Sequence, residues 1–154
     1  MTDMHSVGER RRAREIALHV VYERSFDADS LDAILDRRLS EDGFHALSPD
    51  VPAYESELPV SECVYLRTLI RGIDEKKTEL DEIIRKYSLN WKLERISRIS
   101  RAILEIALYE ILEMKDIDVS VSINEAVELA KTYESEDAGA FVNGVLGGYV
   151  RSGN

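Results

Sequence analysis

One cysteine, three prolines and three histidines are all that this chain of 154 residues has of those types. The lone Cys63 excludes an internal disulfide and a cysteine-based zinc site, and a small buried hydrophobe is its plainest role. His5, His19 and His45 have no metal-ligand spacing among them. No apolar run approaches the roughly 20 residues needed to span a bilayer. The amino terminus also lacks the apolar stretch of a secretory signal. These absences point to the cytoplasm and away from membranes. There is no phosphate-binding glycine loop and no dinucleotide fingerprint, so no cofactor is expected. No carboxylate pair stands apart from the many acids, and no catalytic site is recognisable. Strand-like alternation of useful length is absent too.

What is present is helical periodicity. Residues 9–25 place Ala13, Ile16, Ala17, Val20 and Val21 on one side of a helix. Ser30 can cap a second helix to about residue 40, with Leu31, Ile34, Leu35 and Leu39 inward. Residues 41–60 hold Pro49, Pro52, Pro59, Gly43 and many acids, and read as an exposed acidic loop. A helix from Ser61 carries Tyr65, Leu66, Leu69, Ile70 and Ile73, and the stripe resumes at Leu80, Ile83, Ile84 and Tyr87. One long helix bent near Gly72 accommodates both. Ser88 to Trp91 reads as a turn. The segment 96–114 is too apolar for a helix wet on one side and is expected at the centre. Ser122 and Glu125 have capping-box spacing for the next helix, which buries Ile123, Ala126, Val127, Leu129 and Ala130. A last helix from about Glu136 to Tyr149 buries Ala138, Phe141, Val142, Val145, Leu146 and Tyr149. Its second stripe, Ala140, Asn143, Gly144 and Gly147, is small at every position. Since glycine costs roughly 1 kcal/mol in a helix interior, close helix packing is the plainest reason for that stripe. A homodimer contact is another. The fold class is all-α, a bundle of six to seven helices in one domain over residues 1–154.

Charge is the second positive feature. The chain carries 30 acidic and 20 basic side chains, a net of −10, which argues against indiscriminate binding of nucleic acid. Within it, Arg10, Arg11, Arg12 and Arg14 crowd one short stretch where the first helix is expected to begin. Positive charge there opposes the helix dipole, so helix stability explains it poorly. Two explanations remain: a solvated face balanced by Glu9 and Glu15, or a site for phosphates. Residues 85–101 form a second basic patch of net +5, and residues 103–137 carry net −8.

Three segments together resemble one family. They are Arg10-Arg11-Arg12-Ala13-Arg14-Glu15-Ile16-Ala17-Leu18 running to Tyr22; Trp91-Lys92-Leu93-Glu94-Arg95-Ile96 through Ala107-Leu108-Tyr109-Glu110; and Ser122-Ile123-Asn124-Glu125-Ala126-Val127-Glu128-Leu129-Ala130-Lys131 with Phe141-Val142-Asn143-Gly144-Val145-Leu146. Their order and spacing are similar to those of the NusB family of bacterial transcription antitermination factors, across nearly the full length. The resemblance implies two packed three-helix units with a short extra helix, and binding without catalysis. It implies contact with single-stranded boxA RNA together with ribosomal protein NusE, in a complex with other Nus factors and RNA polymerase that supports ribosomal RNA transcription. By the same resemblance, Arg10, Arg11, Arg12 and Arg14 contact RNA, with Tyr22, Asp137, Phe141 and Asn143 near that surface. Spacing alone puts Phe141 in the core, and Asp137 could simply cap its helix. Departures from the family pattern fall at Ala140, Ser100, Glu105 and Gly147-Gly148, and bear on RNA and NusE contacts rather than on the fold. They leave open a protein–protein scaffold of the same fold with weakened RNA binding.

Overall fold

The computed structural model describes residues 4–26, 29–40, 58–88 and 95–153, in which seven helices and no strand occur. They are α1 (Met4–Arg24), α2 (Leu31–Leu39), α3 (Val60–Glu75), α4 (Lys77–Tyr87), α5 (Arg98–Glu113), α6 (Val119–Tyr133) and α7 (Glu136–Arg151). The chain divides into two compact units, Met1–Asp74 and Glu75–Asn154. Most of the acidic loop, residues 41–57, and the turn residues 89–91 lie outside the described residues.

Unit 1 holds α1, α2 and α3. Its buried residues repeat at helical spacing: Ala13, Ile16, Ala17 and Val20 on α1, Leu31, Ile34 and Leu35 on α2, Leu66, Leu69, Ile70 and Ile73 on α3. Ser30 caps α2, its side chain accepting from the Ala33 N–H at 3.2 Å. Ion pairs join the helices. Arg67 on α3 reaches Asp32 at 2.7 Å and Asp36 at 2.8 Å on α2, and Arg38 on α2 reaches Glu23 on α1 at 2.9 Å. His19, largely buried on α1, is lowered to a pKa of about 4 by burial and by the Arg38 charge, so it is neutral at pH 7. The helix after the loop begins at Val60 rather than Ser61, because the Pro59 carbonyl already accepts from Cys63. Gly72 lies buried within α3, and the interruption expected there falls instead at Lys76 (φ −105°, ψ 17°).

Unit 2 holds α4 to α7, with α5 in contact with the other three. Every residue from Ala102 to Ile111 is buried, as the apolar content of that segment requires. Two of them are carboxylic acids, and each has partners. Glu110 accepts from the Ser122 hydroxyl at 2.7 Å. Glu105 accepts from Lys77 at 3.1 Å, and Lys77 and Arg101 also hold Asp81, at 3.1 and 2.7 Å. Burial, with a hydrogen bond to Asp81, raises the Glu105 pKa to about 7. Asp81 moves below its ordinary value: burial works against this, but hydrogen bonds from Glu105 and Arg101 outweigh it. The two carboxyls thus titrate as a pair, with Glu105 the one held protonated to higher pH.

The Ser122–Glu125 capping box does not form. Helix α6 starts four residues earlier, with Asp118 at its cap, and Ser122 sits inside it. Its hydroxyl is committed to Glu110, a buried acceptor with more to gain than an exposed helix end. On α6 only Ser122, Ala126 and Ala130 are buried, while Ile123, Val127 and Leu129 are half-buried.

Candidate nucleic-acid interface

In unit 1 the helix dipole gives no reason for or against the arginines. Helix α1 begins at Met4, so Arg10 to Arg14 stand beyond its first turn, where the dipole has little effect. The four differ sharply. The Arg10 Nε donates to Glu62 Oε1 at 2.5 Å and its Nη2 to Oε2 at 3.4 Å, while the guanidinium lies 4.1 Å from the centre of the Tyr65 ring. Arg14 approaches the same ring at 5.9 Å and is buried, only 5% exposed. Arg12 pairs with Glu9 at 2.6 Å. Arg11 is exposed. Part of the cluster is therefore internal structure. The sequence placed Tyr65 only in the apolar stripe of its helix and gave Glu62 no role. They lie three residues apart on α3, but nothing local shows that their partners are on α1.

Tyr22 lies eight residues past Arg14, about 12 Å along α1 at 1.5 Å per residue. It is 36% exposed and meets Phe26 edge-on, with ring centres 5.1 Å apart. Phe26 is 63% exposed. Sequence reading passed over it because it lies beyond the helical stripe. Together the two rings form an exposed aromatic ledge.

In unit 2 the cap of α7 is Ser135, whose side chain accepts from the Ala138 N–H at 3.1 Å. Asp137 is therefore not needed as a cap, and it is exposed on the first turn. Phe141 lies four residues on, on the same face. It is half-buried rather than in the core. Asp137 and Phe141 line a cavity of about 470 Å³, together with Arg95, Ser97, Ser100 and Glu134. Ser97 caps α5, accepting from the Ser100 N–H at 3.0 Å, and the buried Ser100 hydroxyl donates to Glu134 at 2.8 Å. The cavity thus combines a ring, several hydroxyls, two carboxylates and a guanidinium. Asn143 is exposed on α7 but does not line it. Gly144, expected to allow close helix packing, faces open space: a Cβ there meets nothing within 4 Å. Ala140 and Asn143 are exposed as well, whereas Gly147 is half-buried with its Cβ site 3.0 Å from the Arg151 guanidinium, so most of this stripe faces outward. Gly139, outside the stripe, is the tight position, its Cβ site 2.8 Å from the Lys131 side chain.

Among the described residues no group of three or more His, Cys, Asp or Glu side chains is placed to hold a metal ion. No described helix is long and apolar enough to cross a membrane.

The NusB family profile matches residues 11–151. The transcription antitermination protein NusB of Acetivibrio thermocellus is 36% identical over 142 residues, covering 92% of this chain and 88% of that protein. The NusB structure from T. maritima superposes with a TM-score of 0.74 at 35% identity, covering 92% of this chain and 90% of that one. A chain from the complex of antitermination factors NusB and NusE with double-stranded RNA has the same fold, with a TM-score of 0.70 at 23% identity, covering 94% of this chain and 97% of that one. Profile, full-length identity and fold agree: this chain is a member of the NusB family of transcription antitermination factors.

Proposed function

We propose that this protein binds boxA-type single-stranded RNA together with ribosomal protein NusE, and supports ribosomal RNA transcription in a complex with other Nus factors and RNA polymerase. It acts in the cytoplasm as one RNA-binding domain, without cofactor or catalysis. The observation that carries the reading is Phe141. Helical spacing would bury it, yet it lines a cavity beside Asp137. A ring with a carboxylate one turn away suits an unpaired base, which can stack on the one and donate a hydrogen bond to the other. Tyr22 offers a second exposed ring, and Asn143 an amide for a neighbouring nucleotide. Arg11 is the most accessible phosphate contact, Arg10 keeps N–H groups beyond those given to Glu62, and Arg12 adds positive charge beside its pair with Glu9. Arg14 contributes charge from beneath the surface.

If about three phosphates are neutralised, log affinity falls by about 2 per decade of salt. Titration of a labelled boxA-type RNA at two salt concentrations, with and without NusE, tests this. Replacing Arg10, Arg11, Arg12 and Arg14 with alanine is expected to weaken binding strongly while circular dichroism still shows helix. Equal binding by that variant overturns the assignment. The ion pair of Arg12 with Glu9 and the burial of Arg14 favour a second reading, a NusE-binding scaffold with weakened RNA binding. Capture of NusE with no RNA binding even at low salt would select it.

A further inference from the structure

Glu62 and Tyr65 have no place in the reading above, although both touch its arginines. The Glu62 side chain is 9% exposed and that of Arg10 is 29% exposed. Glu62 takes one edge of the guanidinium, through Nε and Nη2, and Tyr65 supports its flat face at 4.1 Å. Five N–H groups belong to a guanidinium, so three remain uncommitted to Glu62. Among the described residues, Glu62 and Tyr65 are the recorded partners of Arg10. From this geometry we propose that Glu62 and Tyr65 are positioning residues, which fix the Arg10 guanidinium so that its remaining edge meets an RNA phosphate. The proposal rests on the RNA-binding reading.

The alternative is that Glu62 competes with phosphate for Arg10. The burial of Glu62 argues against it. A phosphate that displaced Arg10 would leave a nearly buried carboxylate with only the Ser61 hydroxyl, 3.2 Å away, and an abandoned buried charge is costly. Adding a phosphate to the remaining edge breaks nothing. A long arginine stem also loses rotamer freedom when it binds. Here that freedom is already spent in the unbound protein, so less affinity is lost on association. Glu62 lowers the local positive charge, but as a close partner it also orients the fork, which is what bidentate phosphate contact requires.

The test is titration of a boxA-type RNA against the full chain and four variants, Glu62→Ala, Tyr65→Phe, Tyr65→Leu and Arg10→Ala, with the first three also combined with Arg10→Ala. Thermal melts establish that each variant is folded. Glu62→Ala and Tyr65→Leu are each expected to weaken binding about fivefold, through lost ordering of the arginine stem, and to make the salt slope shallower by up to about 0.7, the share of one single-strand phosphate. Tyr65→Phe keeps the ring face and is expected to bind as the parent does, which holds the proposal testable if Tyr65→Leu does not fold. In the Arg10→Ala background none of the three should have a further effect, since they act through that side chain. Tighter binding by Glu62→Ala identifies a competitor and overturns the proposal. So does an equal loss with and without Arg10, which is the mark of a merely structural role. Parent protein that binds RNA while Arg10→Ala binds equally well overturns this proposal alone. Parent protein that binds no RNA overturns both it and the function it rests on.

Discussion

The two units handle charge in opposite ways. Unit 1 keeps most of its charged pairs half-exposed, among them Arg67 to Asp32 and Arg38 to Glu23 between helices, while Arg10 meets a nearly buried Glu62. Its largely buried titratable base, His19, is neutral. Unit 2 draws acids into its central helix, where Glu105 and Glu110 are buried and satisfied by Lys77, Asp81 and Ser122. The comparison shows that a net acidic chain does not keep its acids uniformly on the surface. In unit 1 pairing costs little where water still reaches the groups, and the nearly buried Glu62 is compensated by Arg10. In unit 2 burial is tolerated because Glu105 is held protonated to higher pH than an ordinary carboxyl and Glu110 receives a hydroxyl.

This difference gives the units opposite responses to acid. Folded Glu105, with a pKa of about 7, binds more protons than the unfolded chain between about 4.5 and 7. Its contribution is therefore fully present below that window and is lost as pH rises through it. Folded His19, with a pKa of about 4, binds fewer protons than the unfolded chain between about 4 and 6.5. Its contribution is present above 6.5 and is lost as pH falls.

Breaking the unit 2 side of the contrast should have the largest effect. Glu105→Gln, a neutral stand-in for the protonated acid, is expected to abolish the fall in unit 2 stability between pH 5 and 7.5, a difference of up to about 3 kcal/mol at about 1.4 kcal/mol per pKa unit. Amide hydrogen exchange along α4 and α5 at both pH values reads it. An unchanged pH slope would mean that Glu105 is ionised in the fold. Next, His19→Gln should remove about 2 kcal/mol of the acid sensitivity of unit 1. This is seen as exchange in α1 and α2 that no longer accelerates between pH 7 and 5. The smallest effect is expected from Arg67→Ala. It breaks pairs to Asp32 and Asp36 whose side chains keep about a third or more of their exposure, so about 0.5–1 kcal/mol is lost and salt reduces that further. A loss several times larger in urea unfolding would show that these surface pairs matter as much as the buried ones.

Much of the helical pattern was legible in advance, for a local reason. The stripes of α1, α2, α3 and α5, and the cap at Ser30, depend on residues within a turn or two of each other. The errors lie where a distant partner overrode the local signal. Ser122 had capping-box spacing, but Glu110 of another helix claims its hydroxyl. Phe141 matched the core stripe, but α7 turns it toward a cavity completed by Glu134 at the C-cap of α6 and Ser97 at the cap of α5. Of the candidate contacts, the exposure of Tyr22, Asp137 and Asn143 agrees with a binding surface. The burial of Arg14 and the pairing of Arg10 and Arg12 could not be read from a run of arginines.

By itself the sequence determined the helical class, the apolar central segment within 96–114 and the concentration of arginine near the amino terminus, because periodicity and composition are local properties. Only the tertiary structure decided which of those arginines reach water, that Glu105 is held protonated to higher pH than an ordinary carboxyl, and that Asp137 and Phe141 share a cavity with Arg95, Ser97 and Ser100. Each of these depends on the distance between groups far apart in the chain, and no spacing along the sequence encodes that distance.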